Sequence, residues 1–432
     1  MRDRSVLLIG HSCRPDHGSE PGITWNWAWH LSARHRIVVL AHPEYRQEVD
    51  RYLAEHPNPN LRFVWVTIPR RLDPWDPAGS GRGIGLHYVI WQRFAFAEAA
   101  RLHAREPFDL AHYVSPSSVS APPPPWRLPI PLIWGPLGGG HLTPAAFRRY
   151  LGRAAAADRV RSMRIRLLPY LPAVRRAVRQ SAFILAANRE TLEVLEAAGA
   201  RGVRIFPDVG IPPAYLPSTP PARPAGPGLT LLWAGRLHPR KGLALALEAL
   251  AEAGDVPARL VVAGDGPLRA ESARAARALG IAPRVTFLGS LPWRQLHDVF
   301  RQADAFVFTS LRDTLATVLF EAMAHALPIV ALDHQGVGLH VPPEAGIKVP
   351  VTTPAETVRR LAEGIRRLAE DPELRARMGR AAWEAVAEHA WDRRAERMLR
   401  LYDDCLGRSG GPAFTGAGGA AGAGRAHAGG GG

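Results

Sequence analysis

The chain has 432 residues, 47% hydrophobic and 22% charged, a composition typical of a folded globular protein and too long for one hydrophobic core. The formal charge is +15, yet only two of the 54 basic residues are lysines, Lys241 and Lys348, and 41 glycines and 40 prolines accompany the arginines. So general a skew reads as compositional background, which weighs against nucleic acid as the partner. Cys13 and Cys405 are the only cysteines, so there is no disulfide framework and no cysteine metal spacing, and a reducing cytoplasm is expected. The first apolar run, in MRDRSVLLIGHSC, is too short for a signal-peptide core, and no run approaches the ~18 to 20 residues of a membrane span.

Taken in chain order, short β-branched runs alternate with longer helical patterns. SVLLIG, RIVVL, LRFVWVTI, DLAHYVS, PLIWG and FILAA come first, then LTLLWAG, ARLVVAG, RVTFLG, AFVFTS and LPIVAL. Alternation of this kind predicts parallel sheets with crossover helices, here built twice. The expected organisation is an α/β domain over 1–210, a Pro/Gly-rich linker over 211–228 and a second α/β domain over 229–390. An amphipathic helix over 391–406 follows and is expected to pack back on the first domain, and the Gly/Ala-rich residues 407–432 are expected to be disordered. Two doubly wound sheets would face each other across a central cleft at their strand C-terminal ends.

In the first half, Gly18, Ser19, Glu20 and Gly22 form a glycine-bearing loop before a helix, where a backbone can approach a phosphate or sugar. His112 ends DLAHYVS, and a lone histidine there is ordinarily a satisfied structural residue. Gly138, Gly139 and Gly140 end PLIWGPLGGG as either a close-approach loop or a plain turn. Arg148 to Gln180 carries ten arginines against Asp158 alone, in helices broken near Pro169 and Pro172. Two readings are open for Arg148 to Arg179: a basic surface for anionic lipid, or an exposed face with no partner. Arg70 to Gly85 is read as a flexible segment bordering the acceptor entrance.

In the second half, a strand ending at Gly235 and a helix beginning near Lys241 put Arg236 and Lys241 on the ligand-facing edge, where two cations suit a diphosphate. Within SLRDTLATVLFEAMAHALPIV, Asp313 lies just before a helix expected over Ala316 to Ala326, so it is either an N-cap or a ligand group. Glu321 sits among aliphatic neighbours, where a carboxylate is costly unless a buried arginine or a ligand diol binds it.

The Asp313-x7-Glu321 pair followed by AMAHALPIV, the Arg236-x4-Lys241-Gly pair and the VAGDGP turn with Gly264 and Gly266 together resemble the nucleotide-sugar domain of glycosyltransferase family 4, which has the GT-B fold. The resemblance implies a retaining transfer of a hexosyl group from a UDP or GDP sugar or its like to a glycan or lipid-linked acceptor, in envelope or exopolysaccharide synthesis. It implies that Glu321 holds the ribose and that Asp313 and His112 meet the donor sugar. The backbone of Thr314, Leu315 and Ala316 then approaches the diphosphate, and Arg236 and Lys241 stabilise it as it leaves. Gly18 is carried over to the donor, and Ser19, Glu20 and Gly138 to Gly140 to the acceptor side.

Three positions depart from the family: Asp313 where Glu is usual, and Ala316 and Ala326 where Gly is usual. An alanine at a position requiring positive φ is strained. No DxD pair is present to hold a divalent metal, so no metal and no cofactor are expected at the diphosphate. The expected location is the cytoplasm, peripheral on the inner membrane face if the basic segment binds lipid. Competing classes are an NDP-sugar epimerase or a sugar phosphorylase, and a non-catalytic membrane or nucleic-acid binder.

Overall fold

The computed structural model describes residues 3–15, 18, 20–75, 83–221 and 228–409. Ser19, part of the segment read as a flexible border, part of the linker and residues 410–432 lie outside the described residues.

The first sheet contains β1 (Ser5–Gly10), β2 (Arg36–Ala41), β3 (Leu61–Trp65), β4 (Leu110–Ser115), β5 (Leu132–Leu137), β6 (Phe183–Ala186) and β7 (Arg204–Ile205). The second contains β8 (Leu229–Ala234), β9 (Ala258–Ala263), β10 (Val285–Gly289), β11 (Ala305–Phe308), β12 (Ile329–Leu332) and β13 (Gly346–Val349). Every named strand pair is parallel. β4, β8, β11 and β12 are buried at every position, because crossover helices cover both faces of the sheet. β7 and β13 escape sequence reading because one has two residues and the other, GIKV, is interrupted by Lys348.

The strand orders are β3-β2-β1-β4-β5-β6-β7 and β10-β9-β8-β11-β12-β13. Each order reverses once, between β1 and β4 and between β8 and β11, which opens a crevice at the carboxyl ends of those strands. The two crevices meet: Thr317 Oγ1 of the second domain donates to the Gly18 carbonyl of the first at 2.8 Å.

The C-terminal helix, Trp391–Ser409, extends past the expected boundary at 406, so Gly407 to Ser409 close a helix where disorder was expected. Trp391, Ala395, Met398, Tyr402 and Cys405 are buried at helical spacing. This stripe packs on the helix Glu20–Leu31, with the Trp391 and Trp27 rings 5.1 Å apart. Burial of each large side chain contributes about 2 kcal/mol. The helix therefore ties the end of the second domain to the first.

Candidate active site

β8 ends in a glycine turn pressed against a second one. Gly264 has φ +129°, and a Cβ added to it would fall 2.0 Å from the Gly235 carbonyl oxygen, so only glycine allows these two loops to touch. At Gly266, with φ +156°, an added Cβ would fall 2.5 Å from the Leu237 carbonyl oxygen. In front of them opens a cleft of about 480 Å³ bordered by Gly235, Arg236, Gly264, Asp265, Thr317 and Glu321.

Glu321 stands in the second turn of the helix Thr317–Ala324 and keeps part of its surface open to this cleft. Among the described residues no cation pairs with it; its partner is Trp293, whose Nε1 donates to Oε1 at 3.3 Å. Burial pushes its carboxyl up to about 7, against the pull of the Trp293 N–H. A carboxylate held this way has lone pairs free for two further donors.

Arg236 is exposed at the rim and has no ion pair among the described residues. Lys241 does not open the following helix. It ends the short 3-10 turn Pro239–Lys241, and the helix Leu243–Glu252 starts after Gly242, whose φ is +65°. Lys241 is ion-paired with Asp313, and Arg240 approaches the same carboxylate at 3.7 Å.

Asp313 is not an N-cap. The cap residue is Ala316, and Asp313 faces Lys241 and Ser310 instead, with its backbone N–H held by Gln335 Oε1 at 2.6 Å. Ala316 has φ −95°, so the strain expected of an alanine there is not present. Ala326, at φ +51°, does carry it. Thr314, Leu315 and Ala316 line a small pocket with Asp313, and among the described residues their N–H groups have no acceptor. Free backbone donors at a helix N-terminus favour an anion.

The first domain corrects several expectations. His112 is fully buried, with Nδ1 2.7 Å from the Tyr402 hydroxyl and Nε2 2.6 Å from the Gly135 carbonyl. Both nitrogens are spent on the fold, so it cannot meet a donor sugar. Burial lowers its pKa to about 4. Gly138 and Gly140 likewise spend their N–H groups, on the Ser117 carbonyl and on Thr191 Oγ1.

Their smallness serves protein contact. A Cβ on Gly138 would sit 2.4 Å from Thr314 Oγ1 across the cleft, and one on Gly140 2.6 Å from Thr191 Cα. Gly139, with φ +91°, has no room for a Cβ beside Ser118 Oγ. Glu20 accepts from Ser115 Oγ at 3.1 Å and from the Ser117 N–H at 3.3 Å, which fixes the loop after β4. Gly18 meets Thr317 through its carbonyl.

Five residues that sequence reading missed shape the site. Gln335, at φ +53°, holds the Asp313 N–H and also donates to the Leu311 and Leu142 carbonyls. His141 is buried, and burial followed by the Arg161 charge pulls its pKa to about 3. Arg161 donates to the His141 carbonyl, and Arg312 lies 3.6 Å from Asp158. With Arg240 and Lys241 these make four cations near two carboxylates, Asp158 and Asp313, a local excess that suits an anion. Trp293 completes the missed set. Only the GGGH run hinted at His141; the others carry no motif.

Residues 223–385 match the family model described as glycosyl transferases group 1. Alpha-D-kanosaminyltransferase of Streptomyces kanamyceticus is 30% identical over 40% of this chain and 45% of its own length. D-inositol 3-phosphate glycosyltransferase of Corynebacterium diphtheriae is 32% identical over 40% of this chain and 42% of its own. The chain thus spans less than half the length of these two relatives. A longer match joins 75% of it to 84% of 2-deoxystreptamine glucosyltransferase of Streptomyces kanamyceticus at 27% identity.

Sucrose-phosphate synthase from Thermosynechococcus elongatus superposes over 94% of this chain and 100% of that one, with TM-score 0.62 and 18% identity. Anabaena HepE in complex with UDP-glucose does so over 93% and 100%, with TM-score 0.57 and 17% identity. The fold is GT-B: two parallel-sheet Rossmann-like domains.

Proposed function

We propose that this protein is a retaining glycosyltransferase that moves a hexosyl group from a nucleotide-diphosphate sugar to a glycan or lipid-linked acceptor, without a divalent metal at the diphosphate. The observation that carries this reading is Glu321, a carboxylate with no ion pair among the described residues, beside a glycine-walled cleft and one helix turn beyond N–H groups that have no acceptor among the described residues.

A ribose diol supplies the two donors that Glu321 lacks, and the diphosphate then reaches the N–H groups of Thr314 to Ala316, Arg236 and Lys241. Cleaving the anomeric bond places positive charge on the sugar and negative charge on the diphosphate. Preorganised cations and helix-end donors stabilise the second. Lys241 arrives already neutralised by Asp313, so when the diphosphate takes the ammonium, Asp313 is released toward the sugar. Relatives named glycosyltransferases support transfer over epimerisation or phosphorolysis, and the UDP-glucose complex of HepE supports a nucleotide-sugar donor.

A thermal-shift panel of UDP, GDP, ADP and their sugars tests this, since a ligand of the native state raises Tm by mass action. One nucleotide series should raise Tm, and Glu321→Ala should erase the shift. Unchanged affinity in Glu321→Ala refutes the ribose assignment.

Association with an anionic membrane surface is part of the same proposal. In the basic segment, Val160, Met163, Leu167, Tyr170 and Leu171 are exposed apolar side chains between 43% and 67% accessible, amid Arg159, Arg164 and Arg166. Such a surface suits the headgroup region of anionic lipid. No described helix is long and apolar enough to cross a membrane. Flotation with anionic liposomes should recover the protein, and flotation indifferent to lipid charge ends this part of the proposal.

A further inference from the structure

At the carboxyl ends of β1 and β2, three histidines converge from distant parts of the chain. His11 follows β1, His42 follows β2, and His87 lies in the first turn of the helix Ile84–Arg105. One nitrogen of each lies within 4.8 Å of the others. His11 Nε2 is 2.7 Å from His87 Nε2, and His87 Nδ1 is 2.6 Å from Asp73 Oδ1. His11 and His87 are 1% and 0% exposed, and His42 Nδ1 is buried without a hydrogen-bond partner among the described residues.

We propose that His11, His42 and His87 bind a transition-metal dication of the zinc class, with Asp73 as the outer carboxylate that orients His87. Burying two imidazoles and the unpaired Nδ1 of a third is unfavourable unless something claims the lone pairs. Three histidine nitrogens with a position left for water or a ligand is a common zinc donor set, and a histidine that ligates zinc usually gives its other N–H to a carboxylate. Asp73 already stands in that relation to His87.

The proton arithmetic closes with neutral rings. Asp73 takes the His87 Nδ1 hydrogen bond, which leaves His87 Nε2 as an acceptor, and His11 Nε2–H donates to it. When the metal enters, His11 shifts to the tautomer with its proton on Nδ1, and that N–H donates a hydrogen bond to Ser12 Oγ, now 3.3 Å away. Both Nε2 lone pairs then face the ion and no proton is lost. Two nitrogens on one tetrahedral zinc lie ~3.3 Å apart, so His11 and His87 need only part slightly while His42 closes in. Stacked 4.9 Å from His11 and only half-buried, His42 has room to do so.

The site belongs to the first domain and involves none of the groups assigned to the donor. It is separate from the expectation that no metal serves the diphosphate, and it extends beyond the proposed transfer. Sequence reading missed it because separations of 31 and 45 residues carry no ligand motif.

Metal-freed full-length protein titrated with Zn²⁺ by calorimetry, and with Co²⁺ by visible absorption, tests the proposal. The expected result is one equivalent per chain, a raised Tm and the intense d–d bands of a four- or five-coordinate cobalt. His42→Asn and His87→Gln should each weaken zinc by about 100-fold or more, and Asp73→Asn by about 10- to 100-fold. No heat and no bands for the wild type at saturating metal would overturn the site. So would undiminished binding in the double variant His42→Asn/His87→Gln. Should that variant fail to fold, the wild-type cobalt spectrum decides alone. These readouts need no sugar, so they fail or succeed independently of the transferase reading.

Discussion

The two walls of the cleft treat their polar groups in opposite ways. On the second domain, Glu321, Arg236 and the N–H groups of Thr314 to Ala316 have no charged or backbone partners among the described residues. On the first, His112, Glu20, Gly138 and Gly140 are all committed to the protein itself. An unmet polar group beside a cavity is costly, and a ligand that meets it recovers the cost. The contrast therefore teaches that the polar groups singled out on the second wall stay available beside the cleft, as the proposed donor site needs, whereas those on the first wall are used to hold the fold.

The strongest attempt to break this contrast is Lys241→Ala. Removing one preorganised cation from the leaving diphosphate should lower kcat by about 100-fold or more in a steady-state transfer assay, with the donor KM changing less. A loss seen only in KM would make Lys241 a binding residue, and no loss would remove it from the site.

Next comes pH. The carboxyl of Glu321, raised to about 7 by burial, must be ionised to accept two ribose hydroxyls. Affinity for a nucleotide sugar, whose diphosphate diester does not titrate in this range, should fall toward tenfold per pH unit below about 7, and Glu321→Gln should flatten the profile. The sign for stability is opposite. Because the native carboxyl holds its proton longer than the unfolded one, this group favours folding fully below the ordinary carboxylate range. That contribution is lost as pH rises from there to about 7.

His112→Asn probes the other wall. It leaves the Tyr402 hydroxyl and the Gly135 carbonyl wanting, and should cost about 1 to 3 kcal/mol in urea unfolding while kcat per folded molecule changes less than about threefold. A large fall in kcat at unchanged stability would restore His112 to the chemistry. The smallest effect is Ala326→Gly: relief of a left-handed alanine should stabilise by about 0.5 to 1 kcal/mol, read as a higher urea midpoint.

Legibility from sequence followed the same divide. Glu321, Arg236 and Lys241 were visible because each sits a fixed number of residues from a strand end, and a charge in an apolar stretch stands out. His112 misled because its partner Tyr402 lies 290 residues away. Gly138 to Gly140 were readable as a close approach, but what approaches is Thr314, Ser118 and Thr191. Asp313 was open between an N-cap and a ligand group; the cap reading fails because Ala316 is the cap residue and Lys241 claims the carboxylate.

The sequence by itself determined the two alternating α/β halves, the apolar runs that became most of the strands, and the carboxylate set in an apolar helix. These are set by local periodicity and by the cost of placing a charge among aliphatic side chains. Only the tertiary structure decided which polar groups are spent and which stay available. It also joined His11, His42 and His87, and gathered Arg161, Arg240 and Arg312 around Asp158 and Asp313. Those outcomes depend on strand order and on loops meeting across the cleft, and no spacing along the chain encodes them.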